Sequence, residues 1–341
     1  MRYPDFLRPG DTIGFPAPSF GAVLEPWRSA FLNALKKFRR LGYRTEPGPN
    51  AYKSDGIGIS TKPEDCGREL TDMYTSGSSQ ALISIGGGEE MCEILDYVDF
   101  DAVRNAPPKW FMGYSDNTNF TFLLPTLCDT AALYAPCASE FGMRRWHESV
   151  QDAFDYLTVA QQTAHSYPKW EKTSLKDQEH PLRGFHLTEP SVMTVHNWDG
   201  QPFSGRLIGG CLDCLLNLCG TVYDRVPDFA EKYRDDGTIW FLEACDLNVF
   251  GIRRGLWELK HAGWFRHVKG FLVGRPLAAM DQDLFGLDRF NAVTDILGDL
   301  GVPILMDLDI GHLSPMMPLV SGGFGEVRKK SPGIEVAFSE K

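Results

Sequence analysis

Apolar residues recur at helical spacing through Trp27, Phe31, Leu32, Leu35 and Phe38, and the pattern stops at Leu41-Gly42, where glycine suits a helix C-terminus. A short apolar run, Thr12-Ile13-Gly14-Phe15, precedes it and enters a Pro/Ser turn at Pro16-Ala17-Pro18-Ser19. A second helical pattern covers Glu64 to Thr75, followed by the strand Ala81–Ile85 and the glycine turn Gly86-Gly87-Gly88. Lys109–Gly113 is a third strand, and Asn117 to Leu127 reads as the helix after it. Strands alternating with helices predict an α/β fold built on a parallel sheet, with functional groups at the C-terminal ends of its strands.

The pattern breaks from about His165 to Pro190, a polar stretch punctuated by Pro168, Pro181 and Pro190 that reads as a connecting segment. Regular structure resumes at Gly205–Gly210 with an apolar helix through Leu218. The strands Thr238–Glu243 and Gly270–Val273 then flank a helix over Arg253–Ala262. A last strand pair is predicted at Pro303–Met306 and Gly325–Arg328. There is no internal repeat or low-complexity tract.

Composition narrows the function classes. The chain has 341 residues, 43% hydrophobic and 23% charged, as expected of an ordinary globular protein. Its formal net charge of −11 argues against nucleic acid as a partner, since neutralising phosphates calls for a basic excess. No apolar run approaches the roughly 18 residues that span a bilayer, and the N-terminal residues lack a signal-like core. Eight cysteines scattered through so long a chain read as reduced thiols, so the expected location is the cytoplasm, away from membranes.

The most suggestive motif is Gly113-Tyr114-Ser115-Asp116, an apolar strand entering a tight turn with a helix directly after it. That context fits a nucleophile elbow, which lifts a Ser hydroxyl clear of the sheet. It equally fits a plain helix N-cap, because Ser and Asp are favoured there and Asn117 stands where G-x-S-x-G has its second glycine. A serine nucleophile needs a base and a group to orient that base. Among eight histidines, His312 stands out in a Gly/Pro turn after the strand end Met306–Ile310, and Glu243 closes an apolar strand, where a carboxylate must be paired or at the tip. The turn Gly86-Gly87-Gly88 lacks dinucleotide-site spacing and suits an oxyanion hole or simple turn geometry. Cys211-x-x-Cys214 has no second ligand pair and reads as structural thiols, so no metal site is expected; it also reads as not opening a helix after a strand, so redox chemistry is not expected either.

Taken in order, Pro9–Gly14 with Ala17-Pro18-Ser19, Ser84–Gly88, Gly113–Thr118, Gly205–Gly210, Phe241-Leu242-Glu243 and Gly311-His312 with Pro318-Leu319 resemble the LD-carboxypeptidase family of serine peptidases, which includes the microcin C self-immunity peptidases. The resemblance runs from about residue 7 to 320. It implies Ser115 as nucleophile, His312 as general base and Glu243 as its orienting acid, with the backbone N–H groups of Gly88 and Asp116 as the oxyanion hole. It further implies a Rossmann-like N-terminal domain over 1–165 carrying the nucleophile, a connecting segment over 166–200, and a smaller β-rich C-terminal domain over 201–341 carrying Glu243 and His312. The site would then lie at the domain junction, and the protein would be a homodimer using no metal and no cofactor.

Expected substrates are small peptides, foremost murein tetrapeptides, or alternatively peptidyl- or aminoacyl-nucleotides. Gly87, Glu89, Glu90 and Trp198 are the candidate substrate-binding residues. Cys211 replaces an Asn frequent after Gly209-Gly210, and Val192 stands where the microcin branch carries a Trp that stacks a nucleobase. Trp198 is the candidate substitute, while Trp170 in the long connecting segment is itself reminiscent of that branch. A non-catalytic ligand-binding protein of the same fold is the reading from another class. It is disfavoured because all three triad residue types are present.

Overall fold

The computed structural model describes residues 1–55, 58–159 and 163–341. The chain divides into two compact units, Met1–Gln161 with Thr173–His186, and Gln162–Lys172 with Leu187–Lys341. It is a mixed α/β fold in two parts, as the alternation of strands and helices predicts.

In the first unit, β1 (Thr12–Phe15), β2 (Arg44–Pro47), β3 (Ala81–Ile83), β4 (Trp110–Gly113) and β5 (Ala132–Tyr134) run parallel in the order β5-β4-β3-β1-β2. All but β2 are buried throughout, which is why they read as short continuous apolar runs. The chain leaves β1 to one side for β2 and returns on the other for β3, so the strand order switches between β1 and β3, where such sheets open a crevice.

Helix α1 (Trp27–Arg40) buries Ala30, Phe31, Ala34, Leu35 and Phe38, but Trp27 and Leu32 of the predicted stripe are 48% and 39% exposed. Helix α2 (Pro63–Thr75) begins with a proline, whose missing N–H costs nothing in a first turn. After a 3₁₀ segment Met91–Tyr97 comes α3 (Phe100–Asn105). The single helix predicted after β4 is instead a 3₁₀ turn Ser115–Asn117, then α4 (Thr118–Thr121) and α5 (Leu123–Cys128). Pro125 cannot donate the bond back to Thr121, which accounts for a break there. Phe120 of α4 packs edge-on to Phe111 of β4 with ring centroids 4.8 Å apart and meets Tyr74 of α2 at 5.7 Å. Burying such a ring contributes roughly 1.5–3 kcal/mol, and this cluster anchors the segment that leaves β4. Helix α6 (Glu148–Thr158) completes the unit's longer elements.

The second unit holds an eight-stranded mixed sheet in the order β6-β18-β17-β10-β11-β12-β15-β9. In chain order its strands and helices are β6 (Thr163–His165), the short antiparallel pair β7 (Lys169–Trp170) and β8 (Glu189–Pro190), β9 (Thr194–His196), β10 (Phe203–Cys211), α7 (Leu212–Leu218), α8 (Val226–Lys232), β11 (Thr238–Glu243), α9 (Val249–His261) and β12 (Val268–Gly274). There follow the hairpin β13 (Asp283–Leu284) with β14 (Leu287–Asp288), α10 (Asn291–Leu297), β15 (Ile304–Leu308), β16 (Leu319–Ser321), β17 (Phe324–Lys330) and β18 (Gly333–Ser339).

Two expectations are corrected here. The stretch 166–200 is no separate connector: residues 173–186 group with the first unit, while β7, β8 and β9 belong to the second, β9 pairing with β15. The two last predicted strands are not partners. β15 pairs with β12 and β9, and β17 with β10 and β18. No helix among the described residues is long and apolar enough to cross a membrane.

Candidate active site

Ser115 follows β4 through the extended residue Tyr114 and has φ of 62°, a left-handed conformation costing a non-glycine residue about 1–2 kcal/mol. The backbone turns sharply there, as a nucleophile elbow requires. Gly113 must be glycine because a Cβ would sit 2.9 Å from Cβ of Asn117. Asn117, in the place of the second motif glycine, is fully buried and donates from Nδ2 to the carbonyls of Gly86 (2.9 Å) and Tyr114 (3.1 Å). It thereby ties the glycine turn to the elbow.

That turn lies at the strand-order switch. Ile85 N–H donates to Pro16 after β1, and Phe20 N–H donates to Gly87. A Cβ on Gly87 would stand 3.1 Å from both Cβ and Oγ of Ser115, so the hydroxyl lies directly against this glycine. Gly88 has no room for a side chain, since a Cβ would collide with Ser19 Oγ and the Gly58 carbonyl. Gly87, Gly88, Ser115 and Asp116 are thus brought together within the first unit. Glu89 is exposed, its side chain against Gly58 and its charge felt by Asp116, while Glu90 precedes the 3₁₀ segment without capping it.

In the second unit, Glu243 ends β11 at 2% exposure, and His312 presents Nδ1 to Glu243 Oε2 at 2.8 Å. A carboxylate on Nδ1 fixes the proton there and leaves Nε2 as the acceptor. Burial disfavours the charged ring, yet Glu243 and a hydrogen bond to the Cys245 thiol outweigh it and hold His312 well above the ordinary histidine range. Gly311, with φ of 96°, is required because a Cβ would stand 2.6 Å from Glu243 Oε2. The loop after Glu243 is held by Asp213, whose carboxylate accepts N–H groups from Cys245 (3.0 Å), Asp246 (2.9 Å) and Leu247 (3.1 Å). Sequence reasoning missed Asp213. Its one signal, an acidic residue in the first turn of α7, reads as helix-end electrostatics.

Residues 13–135 match the LD-carboxypeptidase N-terminal domain and residues 204–327 match the LD-carboxypeptidase C-terminal domain. The chain belongs to the LD-carboxypeptidase family. A relative in Vibrio cholerae, a carboxypeptidase by name, is 25% identical over 96% of this chain and 95% of its own. The microcin C7 self-immunity protein of Escherichia coli is 25% identical over 93% of this chain and 90% of its own. Among solved structures, an MccF-like protein from Bacillus anthracis superposes with a TM-score of 0.83 at 21% identity, covering 100% of both chains. The microcin C7 self-immunity protein in complex with aspartyl sulfamoyl adenosine gives 0.80 at 22%, covering 99% of this chain and 98% of that one.

Within the LD-carboxypeptidase fold, one predicted substrate residue is misplaced. Trp198 donates its indole N–H to Gln201 (2.7 Å) and packs on Phe203 at the start of β10. Glu243 is in register with Cys211 at the far end of that strand, eight residues and roughly 26 Å away at about 3.3 Å per residue. Trp198 therefore does not belong with Glu243 and His312. Val192 and Trp170 instead line a cavity of about 310 Å³ with Arg275, Arg289, Phe290 and Asp307. The Arg275 guanidinium stacks over Trp170 at 5.0 Å and hydrogen-bonds Asp309, and Arg289 Nε meets Asp307 at 3.0 Å. The cysteine pair is corrected too. β10 runs to Cys211 and α7 starts at Leu212, so the pair does open a helix after a strand. A hydrogen bond with Cys214, burial and the Glu243 charge keep the Cys211 thiol far above its usual range, the opposite of a reactive or metal-ready thiolate.

Proposed function

We propose that the chain is a serine carboxypeptidase or amidase that hydrolyses an amide bond in a small peptide, with Ser115 as nucleophile, His312 as general base and Glu243 as the group that orients it. The observation that carries this reading is the Nδ1 contact of His312 with buried Glu243, the arrangement by which a triad fixes the imidazole tautomer and makes Nε2 the proton acceptor. The left-handed Ser115 after β4 supports the other half.

In this mechanism Ser115 Oγ attacks the carbonyl carbon as its proton passes to His312. The oxyanion of the tetrahedral species is met by the N–H groups of Gly88 and Asp116, donors worth roughly 10²–10³ each in kcat. Collapse breaks the C–N bond, His312 protonates the departing amine, and water then releases the acyl group from Ser115 by the same proton path. Glu243 keeps its negative charge throughout and stabilises the imidazolium.

The preferred substrate class is the LD-linked murein tetrapeptide, with cytoplasmic action on recycled cell-wall peptides. A second reading, hydrolysis of aminoacyl- or peptidyl-nucleotides, is favoured by the likeness to the microcin C7 self-immunity protein, solved in complex with aspartyl sulfamoyl adenosine. Kinetics of the purified protein on LD-linked murein peptides and on aminoacyl sulfamoyl-adenosines separate the two. Turnover of neither would overturn the proposal.

A further inference from the structure

The glycine turn beside Ser115 is gripped at both ends by the two residues that follow the serine. Asn117 holds the Gly86 carbonyl at the near end. At the far end stands the Asp116 side chain, only 4% exposed. Its Oδ2 accepts the Met91 N–H at 2.9 Å and the Ser19 hydroxyl, and its Oδ1 accepts Asn119 Nδ2 at 3.1 Å. Ser19 Oγ also lies 3.3 Å from the Gly58 carbonyl, which in turn accepts Glu89 N–H at 3.1 Å. Three stretches of chain, the turn after β1, Gly58 and the segment Gly88–Met91, thus converge on one carboxylate that leaves the elbow itself.

We propose that the Asp116 side chain is a positioning residue that fixes the backbone of Gly88 against Ser115, and that it does so only as the carboxylate. This rests on the reading of Ser115 as nucleophile with Gly88 and Asp116 N–H groups as oxyanion donors. The reason is donor arithmetic. The two oxygens face an amide N–H, the Ser19 hydroxyl and an amide NH₂, so a proton on Oδ1 meets the Asn119 NH₂, which can only donate, and a proton on Oδ2 displaces the Met91 N–H or turns the Ser19 hydroxyl away toward the Gly58 carbonyl; either rearranges the set that the carboxylate holds. Burial pushes the Asp116 carboxyl up to about 6, its three hydrogen bonds pull the other way, and the charge of Glu89 adds to the rise. Among the described residues Glu89 is a charged group that bears on it, and Ser19, the Met91 amide and Asn119 are neutral. Protonation of Asp116, within an accessible pH range, therefore weakens the grip.

The test is the rate at which a serine-directed fluorophosphonate labels Ser115, followed by intact-protein mass spectrometry from pH 5 to 9. This probe reads the oxyanion hole without knowledge of the natural substrate. In the wild type the logarithm of the rate should fall with slope one as His312 is protonated and steepen toward two below pH about 6. Asp116→Asn should slow labelling about 100-fold at pH 8, the scale of an ångström-level misplacement, and should abolish the steepening. Once a substrate is in hand, kcat should fall with KM changed less than about threefold. Ser19→Ala removes one donor from the carboxylate and should move the steepening to higher pH, a readout that stands even if Asp116→Asn does not fold. Wild-type protein unlabelled at Ser115 would overturn the nucleophile reading itself. Labelled wild type with an unchanged rate and profile in Asp116→Asn, or with no shift in Ser19→Ala, would overturn the positioning role alone.

Discussion

His312 and Glu243 meet across 69 residues of sequence, Nδ1 to Oε2 at 2.8 Å, with the carboxylate sealed in the second unit at the end of β11. The pair fixes the tautomer of a loop histidine, as the proposed base requires.

The pairing predicts how activity depends on pH. A base must be neutral, and Glu243 and Cys245 hold the His312 pKa well above the ordinary value despite burial. Activity should accordingly climb with pH through an ionisation above the usual histidine range. Glu243→Gln removes the charge that raises it, so the limb should move to lower pH while kcat drops by roughly 10³–10⁴. A kcat/KM profile for both proteins checks this. An unmoved limb with undiminished kcat would mean that Glu243 does not act on His312.

Gly311 offers a test from packing. A methyl there would press on Glu243 Oε2 at 2.6 Å, and φ of 96° strains any side chain. Gly311→Ala should destabilise the protein by about 2–3 kcal/mol and reduce kcat as His312 loses its partner. Thermal unfolding and steady-state kinetics measure both, and an unchanged melting temperature would contradict the geometry.

The elements legible in the sequence were those that bury a continuous apolar run or a sustained helical face. β11 runs over Thr238–Glu243 as predicted, because a strand covered on both faces reads as one apolar run. The elbow and glycine turn were legible because strained or crowded backbone demands particular residues. β7, β8 and β9 were not, since strands of two or three residues have no period to read and exist only through pairing such as β9 with β15. Trp198 misled for a related reason. Six residues beyond Val192 in sequence, it packs at the opposite end of β10 from Glu243, and only strand register reveals that. The Asp116 grip was hidden because its partners, Ser19, Met91 and Asn119, form no sequence motif.

Trp198→Ala should leave kcat/KM within about twofold for every substrate, as surface packing changes usually do. Trp170→Ala removes the buried face under Arg275 and should destabilise the protein by about 3–5 kcal/mol, read by thermal unfolding. An unchanged melting temperature would contradict that packing.

Substrate charge tests the proposal that Glu89 faces the substrate. Two unit charges about 4 Å apart interact by about 4 kcal/mol at an effective dielectric of roughly 20, less when exposed. Glu89→Gln should lower kcat/KM for peptides carrying a free ammonium and leave aminoacyl-nucleotide analogues unaffected or improved. It should also shift the Asp116 ionisation down, because a like charge has been removed. Identical effects on both substrate classes would show that Glu89 acts structurally.

The central claim is that Ser115 is the nucleophile, and the most direct measurement is kcat of Ser115→Ala on whichever amide the wild type hydrolyses, with folding checked by circular dichroism. The account predicts a loss of about 10⁴-fold or more with an unchanged fold, because triad members act as one unit. Turnover within about tenfold of wild type would contradict it.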